Sequence, residues 1–166
     1  MAEIYVNITN YPNYQISNLG NVKNIRTGRI LKPSEDRYGY LKVNLINNGD
    51  ISTKTVHKLV ANEFLENPEN KKCIDHIDHN RKNNNVSNLR VATHSENQQN
   101  RSLTNRNTSG VVGVCFDKKS NKWNARIQVN KVNICLGYFV NIEDAIIART
   151  NAEILYFQEF RSIALI

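Results

Sequence analysis

Over the first sixty residues, apolar and polar positions alternate with the two-residue period of strands, in short runs broken by turn residues. YQIS, NVKNI, YLKVNLI and STKTV are the strand-length runs, and NLGN and NNGD separate them, so the pattern predicts a small antiparallel sheet. From Val56 the period lengthens: Val56, Leu59, Val60, Glu63 and Phe64 recur at helical intervals, predicting a short helix over HKLVANEFL, before the loop ENPEN. CID, the polar HIDHNRKNNNVSN, LRVAT and HSENQQNRS then read as strand, loop, strand and a helix capped by Ser95.

Asn105 to Ser109 carries no apolar periodicity and predicts a hinge, with a boundary near residue 107. Beyond it VVGVCFD, KWNARIQV and VNICLGYF predict three strands, and positions 142 to 160 a helix. Asn141 is placed to cap that helix and Glu143 and Asp144 favour its first turn, while Ile142, Ala145, Ile146, Ala152, Leu155 and Tyr156 form its expected apolar stripe. The expected class is α+β: a small N-terminal sheet, a strand–strand–helix unit, and a three-stranded antiparallel sheet packed on one helix.

Composition sharpens this picture in two ways. A formal net charge of +7 on 166 residues raises the expectation of a polyanionic partner, nucleic acid being the commonest. Three cysteines without C-x-x-C spacing indicate neither a disulfide framework nor a zinc ribbon. The first ten residues lack a secretory pattern and no run reaches the length of a membrane span, so the expectation is a soluble, intracellular protein with no membrane partner. It is expected to act as a monomer, with a dimer as the other reading.

The chemistry concentrates at Asp75 and His76. Hydrolysis of a phosphodiester at neutral pH needs a base for water and a cation to offset charge building on phosphate, and adjacent His and Asp can serve these two needs where a strand ends. In the second half, Trp123, Ala125, Ile127 and Val129 share one strand face, and Asn124, Arg126 and Gln128 share the other. Amide side chains can read adenine edges and Arg can read guanine, so the latter face suits the major groove. Residues 111 to 139 hold five Lys or Arg against one acid, whereas 140 to 160 hold one Arg against four acids, so the sheet rather than the helix is expected to face DNA. Lys119 and Lys122 are candidate phosphate contacts, and Arg90 is weighed equally between phosphate contact and a structural role. His57, at the start of its helix, reads as a packing residue, and His94 as a surface residue.

KKCIDHIDHNRKNNNVSNLRVATHSENQQN resembles the HNH nuclease motif of phage and intron-encoded homing endonucleases, in the variant ending in Asn. VHKLVANEFLENPEN resembles the lead-in to that motif, and the segment from YPNYQISNLG to YLKVNL resembles the nuclease-associated module that precedes it. The resemblance implies metal ligation by Asp75 and Asn97, general-base catalysis by His76, and orientation of His76 and its loop by Asn88. Thr93 stands where related nucleases have a further His ligand, so two protein ligands are expected and Mg²⁺ or Mn²⁺ suits them better than structural zinc. His79 stands where Gly is usual.

Residues 109 to 153 resemble the apetala-type DNA-binding domain of ethylene-response factors. That implies a sheet bound to double-stranded DNA, with Arg126, Gln128 and Asn133 at contact positions; Val112 and Cys115 replace contact arginines, so no sequence preference carries over. The expected domains are therefore 1–107, comprising the associated module (about 1–55) and the nuclease (about 56–103), and 108–166. The expected function is site-directed, metal-dependent DNA cleavage, nicking one strand per chain. A non-enzymatic DNA-binding regulator on a degenerate nuclease scaffold is the alternative, and a nuclease acting on RNA or junctions is a third.

Overall fold

The computed structural model describes residues 2–100, 103 and 107–161. The chain divides into two compact units, Met1–His94 and Ser95–Ile166.

Unit one begins with β1 (Tyr5–Ile8), β2 (Tyr11–Ser17) and β3 (Val22–Asn24), hydrogen-bonded in that order. A second sheet follows, β4 (Ser34–Glu35), β5 (Leu41–Asn47) and β6 (Asp50–Thr55). The single predicted sheet is thus two, and the alternation missed β1 and β4, which are too short for a period to register. The NNGD turn behaves as its residues demand: Asn48 and Gly49 both take positive φ, and Asn47 pairs with Asp50 across a two-residue turn.

Helix α1 (Val56–Phe64) lies where the longer period begins, and it buries Val56, His57, Leu59, Val60 and Ala61. Its apolar face joins Ile16, Val22, Val43 and Leu45 from both sheets, and Leu89 from the following strand, in one core. β7 (Cys73–His76) pairs antiparallel with β8 (Leu89–Ala92), setting Asp75 opposite Arg90 and His76 opposite Leu89. The connecting loop ends in a one-turn 3-10 helix, Val86–Asn88, which the Asn85 side chain caps by accepting from the Ser87 N–H. α2 (His94–Gln99) follows, beginning at the last residue of unit one and lying otherwise in unit two. It starts one residue before Ser95, so Ser95 lies inside the first turn instead of capping it.

Unit two carries β9 (Val114–Asp117), β10 (Lys122–Val129) and β11 (Val132–Phe139), an antiparallel sheet with β10 in the middle, and α3 (Ile142–Phe157) packed on it. The fold is α+β, as expected. Ala125 and Ile127 are buried towards α3, while Arg126 and Gln128 are exposed. The stripe on α3 needs correction: Leu155 and Tyr156 are exposed, and the buried positions are Ala145, Arg149, Ala152 and Phe157. Arg149 enters the interior because its charge is matched. Its Nε and Nη2 both reach Glu153 Oε1 at 2.8 Å, and Nη1 donates to the Arg126 carbonyl at 2.8 Å. The expected hinge at 105–109 falls partly outside the described residues.

Candidate active site

The antiparallel pair β7–β8 places Asp75 and His76 at the end of a strand, and both are only 5% exposed. A buried carboxylate needs a partner. Arg90, directly across the ladder, provides it: Nε donates to Asp75 Oδ2 at 2.9 Å, and Nη2 approaches the same oxygen at 2.8 Å. Arg90 is therefore built into the centre as the partner of Asp75.

The loop after His76 is tied by asparagines. Asn88 accepts from Asp78 N through Oδ1 at 3.0 Å and donates through Nδ2 to Asp78 Oδ1 at 2.8 Å and to Asn83 O at 2.9 Å. Asn83 Nδ2 donates to Asp78 Oδ2 at 2.7 Å, and the Asn80 N–H to Asp78 Oδ1 at 2.8 Å. Burial alone would raise the Asp78 pKa, but these donors outweigh it and hold the carboxyl below its ordinary value. His79, at φ +63°, takes the left-handed turn conformation that Gly would adopt more easily.

All of Asn88's amide is thus spent on the loop. The expected hydrogen bond from Asn88 to the imidazole is instead made by Asn84, whose Oδ1 lies 3.2 Å from His76 Nε2. Asn84 Nδ2 donates to the Lys82 carbonyl at 3.3 Å, which fixes Oδ1 as the atom facing the ring. An amide oxygen only accepts, so Nε2 carries the proton and Nδ1 keeps the lone pair. Sequence reasoning missed Asn84 because it stands in a run of three asparagines, where spacing distinguishes none of them.

Asn84 is itself supported from the N-terminal sheets. The Val86 N–H donates to the Asn18 carbonyl at 2.8 Å, and Gly20, at φ +91°, comes so close that a Cβ there would lie 2.9 Å from Asn84 Cβ. Behind the imidazole, Tyr40, His57 and His76 form a ring cluster: His57 lies 4.8 Å from Tyr40 and 5.3 Å from His76 between ring centres. Burial depresses His57 to about 4, with repulsion from His76 next in weight. Burial also lowers His76, against the opposing pull of Asn84, Asp78 and Asp75, so both rings are neutral at neutral pH.

The oxygen chemistry of Asp75 fits a hard divalent cation. Among the described residues no cluster of three His, Cys, Asp or Glu side chains could hold a metal ion. Asn97 lies half-buried on α2. In unit two, register pairs Asn124 with Cys115, Arg126 with Cys135 and Gln128 with Asn133, so the four expected base readers share the sheet face away from α3. Arg126, Gln128 and Asn133 are exposed there, as are Lys119 and Lys122. Asn124 is half-buried, its Nδ2 3.4 Å from the Gly137 carbonyl.

Two paired strands ending in Asp-His and an asparagine-tied loop are the arrangement expected from the resemblance to HNH nucleases. Residues 3–46 match the NUMOD4 motif and residues 54–99 match the HNH endonuclease family. Over residues 3–99 the chain is thus similar to HNH homing endonucleases. It is 44% identical over 95 residues to the "Uncharacterized HNH endonuclease L247" of Acanthamoeba polyphaga mimivirus, covering 55% of this chain and 24% of that one. It is 40% identical over 95 residues to "DNA endonuclease I-HmuI" of Bacillus phage SP01, covering 55% of each. A solved structure titled "DNA binding and cleavage by the HNH homing endonuclease I-HmuI" superposes with a TM-score of 0.56 at 27% identity, covering 92% of this chain and 89% of that one. The matched curated relatives are longer, and the chain spans from 24% to 55% of their length. HNH endonucleases generally depend on divalent metals. No helix among the described residues is long and apolar enough to cross a membrane.

Proposed function

We propose that this chain is a site-directed DNA endonuclease that nicks one strand of double-stranded DNA, with His76 as general base. The observation that carries this reading is the His76 imidazole: buried, neutral, and held by Asn84 through Nε2 at the strand end beside Asp75. His76 takes the proton from water, the oxygen attacks the scissile phosphorus, and the 3′ oxygen departs, leaving 5′-phosphate and 3′-hydroxyl ends. Asp75 and Asn97 would hold the cation, Mg²⁺ or Mn²⁺; when bound, it offsets negative charge developing on the phosphate and the departing oxygen. Arg90 keeps Asp75 aimed, and Asn88 acts by holding the loop.

In this reading residues 108–166 form an apetala-like DNA-binding domain. Arg126, Gln128, Asn124 and Asn133 contact base edges, and Lys119 and Lys122 contact phosphates, positioning the nuclease half at high effective concentration. The exposed Arg126–Gln128–Asn133 face supports this. Binding would weaken steeply with salt.

The test is supercoiled plasmid incubated with the wild type or His76→Ala and Mg²⁺ or Mn²⁺, with a chelator control. Metal-dependent relaxation by the wild type alone is expected. Equal cutting by His76→Ala removes His76 as base, and tight binding without cutting by either protein, even on intron-flanking DNA, favours a DNA-binding regulator.

A further inference from the structure

Before any cation arrives, the sole carboxylate assigned to hold it is already neutralised. Asp75 and Arg90 face each other across β7–β8, and both Nε and Nη2 of the guanidinium lie within 2.9 Å of Oδ2. The pair is largely dry, with side-chain exposures of 6% for Asp75 and 14% for Arg90. The next carboxylate along the chain, Asp78, is occupied by Asn83, Asn88 and the Asn80 N–H. A divalent cation entering this centre on its own would leave water for a carboxylate whose charge is already matched by a fixed guanidinium. With little solvent between them, that repulsion is poorly screened.

We propose that Arg90 is a positioning residue that couples cation binding to DNA binding. Its charge holds the affinity of the free protein for a divalent cation low, and a DNA phosphate supplies the missing negative charge. This rests on Asp75 being a cation ligand, as proposed above. The coupling is reciprocal: DNA raises cation affinity by the same factor by which the cation raises DNA affinity. Arg90 does this without leaving Asp75, since a carboxylate can take a guanidinium and a cation together.

The experiment measures Mn²⁺ binding by paramagnetic resonance of the free ion, in the uncleaving His76→Ala background. A short duplex is absent or present, and the signal from duplex alone is subtracted. In the otherwise unsubstituted protein, DNA is expected to strengthen Mn²⁺ binding at least about tenfold. Arg90→Gln is expected to bind Mn²⁺ about tenfold more tightly without DNA and to lose most of the DNA dependence. Arg90→Lys keeps the charge and should resemble Arg90. A merely structural role for Arg90 would lower the melting temperature and leave Mn²⁺ affinity unchanged or reduced.

No DNA dependence with Arg90 in place overturns the inference, and needs no folded variant. So does an equal rise in Arg90→Lys and Arg90→Gln, or no rise in Arg90→Gln while Asp75→Asn loses binding. Should Asp75→Asn bind Mn²⁺ as well as Asp75 does, the ligand assignment itself fails, a result distinct from the others.

Discussion

His57 and His76 meet edge to face, their ring planes 65° apart and both side chains buried. Nδ1 of His57 is buried without a hydrogen-bond partner, and the ring resists protonation down to about pH 4. The unfolded imidazole binds its proton near 6.5, so between these values the unfolded chain holds more protons than the folded one.

Stability should therefore be full above pH 6.5 and fall as pH drops towards 4, by up to about 3 kcal/mol from this residue. His57→Phe keeps a ring in the cluster and removes the titration. Urea unfolding at the two ends of this range should show a shallower acid loss in the variant; an unchanged loss would place the sensitivity elsewhere.

Asn84 fixes which nitrogen of His76 carries the proton. A correctly placed general base contributes roughly 10²- to 10⁴-fold, so Asn84→Ala should slow single-turnover nicking by roughly 10- to 100-fold while DNA affinity stays within a factor of about two. Rates equal to wild type would show that the ring is oriented by packing alone.

Gly20 touches the same asparagine from the N-terminal module. Gly20→Ala introduces a Cβ 2.9 Å from Asn84 Cβ at a φ of +91°, and should cost more than about 1 kcal/mol and slow nicking as well. Thermal melting and nicking together test this. Lost stability with unimpaired nicking would mean that the loop yields without disturbing His76.

Arg149 is buried in unit two, tied to Glu153 and to the Arg126 carbonyl. Arg149→Ala strands both partners and should cost about 3 kcal/mol. Trp123, the single tryptophan, packs against the sheet–helix core and should report the loss as an earlier fluorescence transition in urea. An unshifted midpoint would mean that solvent satisfies the stranded groups.

Local periodicity made the longer elements legible: β5, α1, β10, β11 and α3 lie where alternation or helical spacing placed them. The Asp75-His76 pair was legible because a strand visibly ends there. What sequence concealed was pairing across distance. Nothing in the order of residues distinguishes Arg90 as the partner of Asp75 from a surface arginine, since the ladder register that opposes them is set by tertiary packing. Arg149 was hidden for the same reason, because a charged residue in an apolar helix reads as solvent-facing until its carboxylate and carbonyl partners are known. Leu155 and Tyr156 erred in the opposite sense: helical phase drifts over sixteen residues, and a stripe extrapolated to the C-terminal end loses its face.

The core that joins Ile16 and Leu45 to Val60 and Leu89 has a bearing on how such chains are cut and recombined. The stretch matching the HNH endonuclease family begins at residue 54, yet it holds only part of that core, and the sheets before it also supply Asn18 and Gly20 behind the histidine loop. A fragment starting there would carry every residue assigned to cleavage and still expose Val56, Leu59, Val60 and Leu89 to water. Grafting this nuclease onto another DNA-binding partner thus means moving residues 1 to 99 together, because the stretch that matches the family is shorter than the stretch that holds the core.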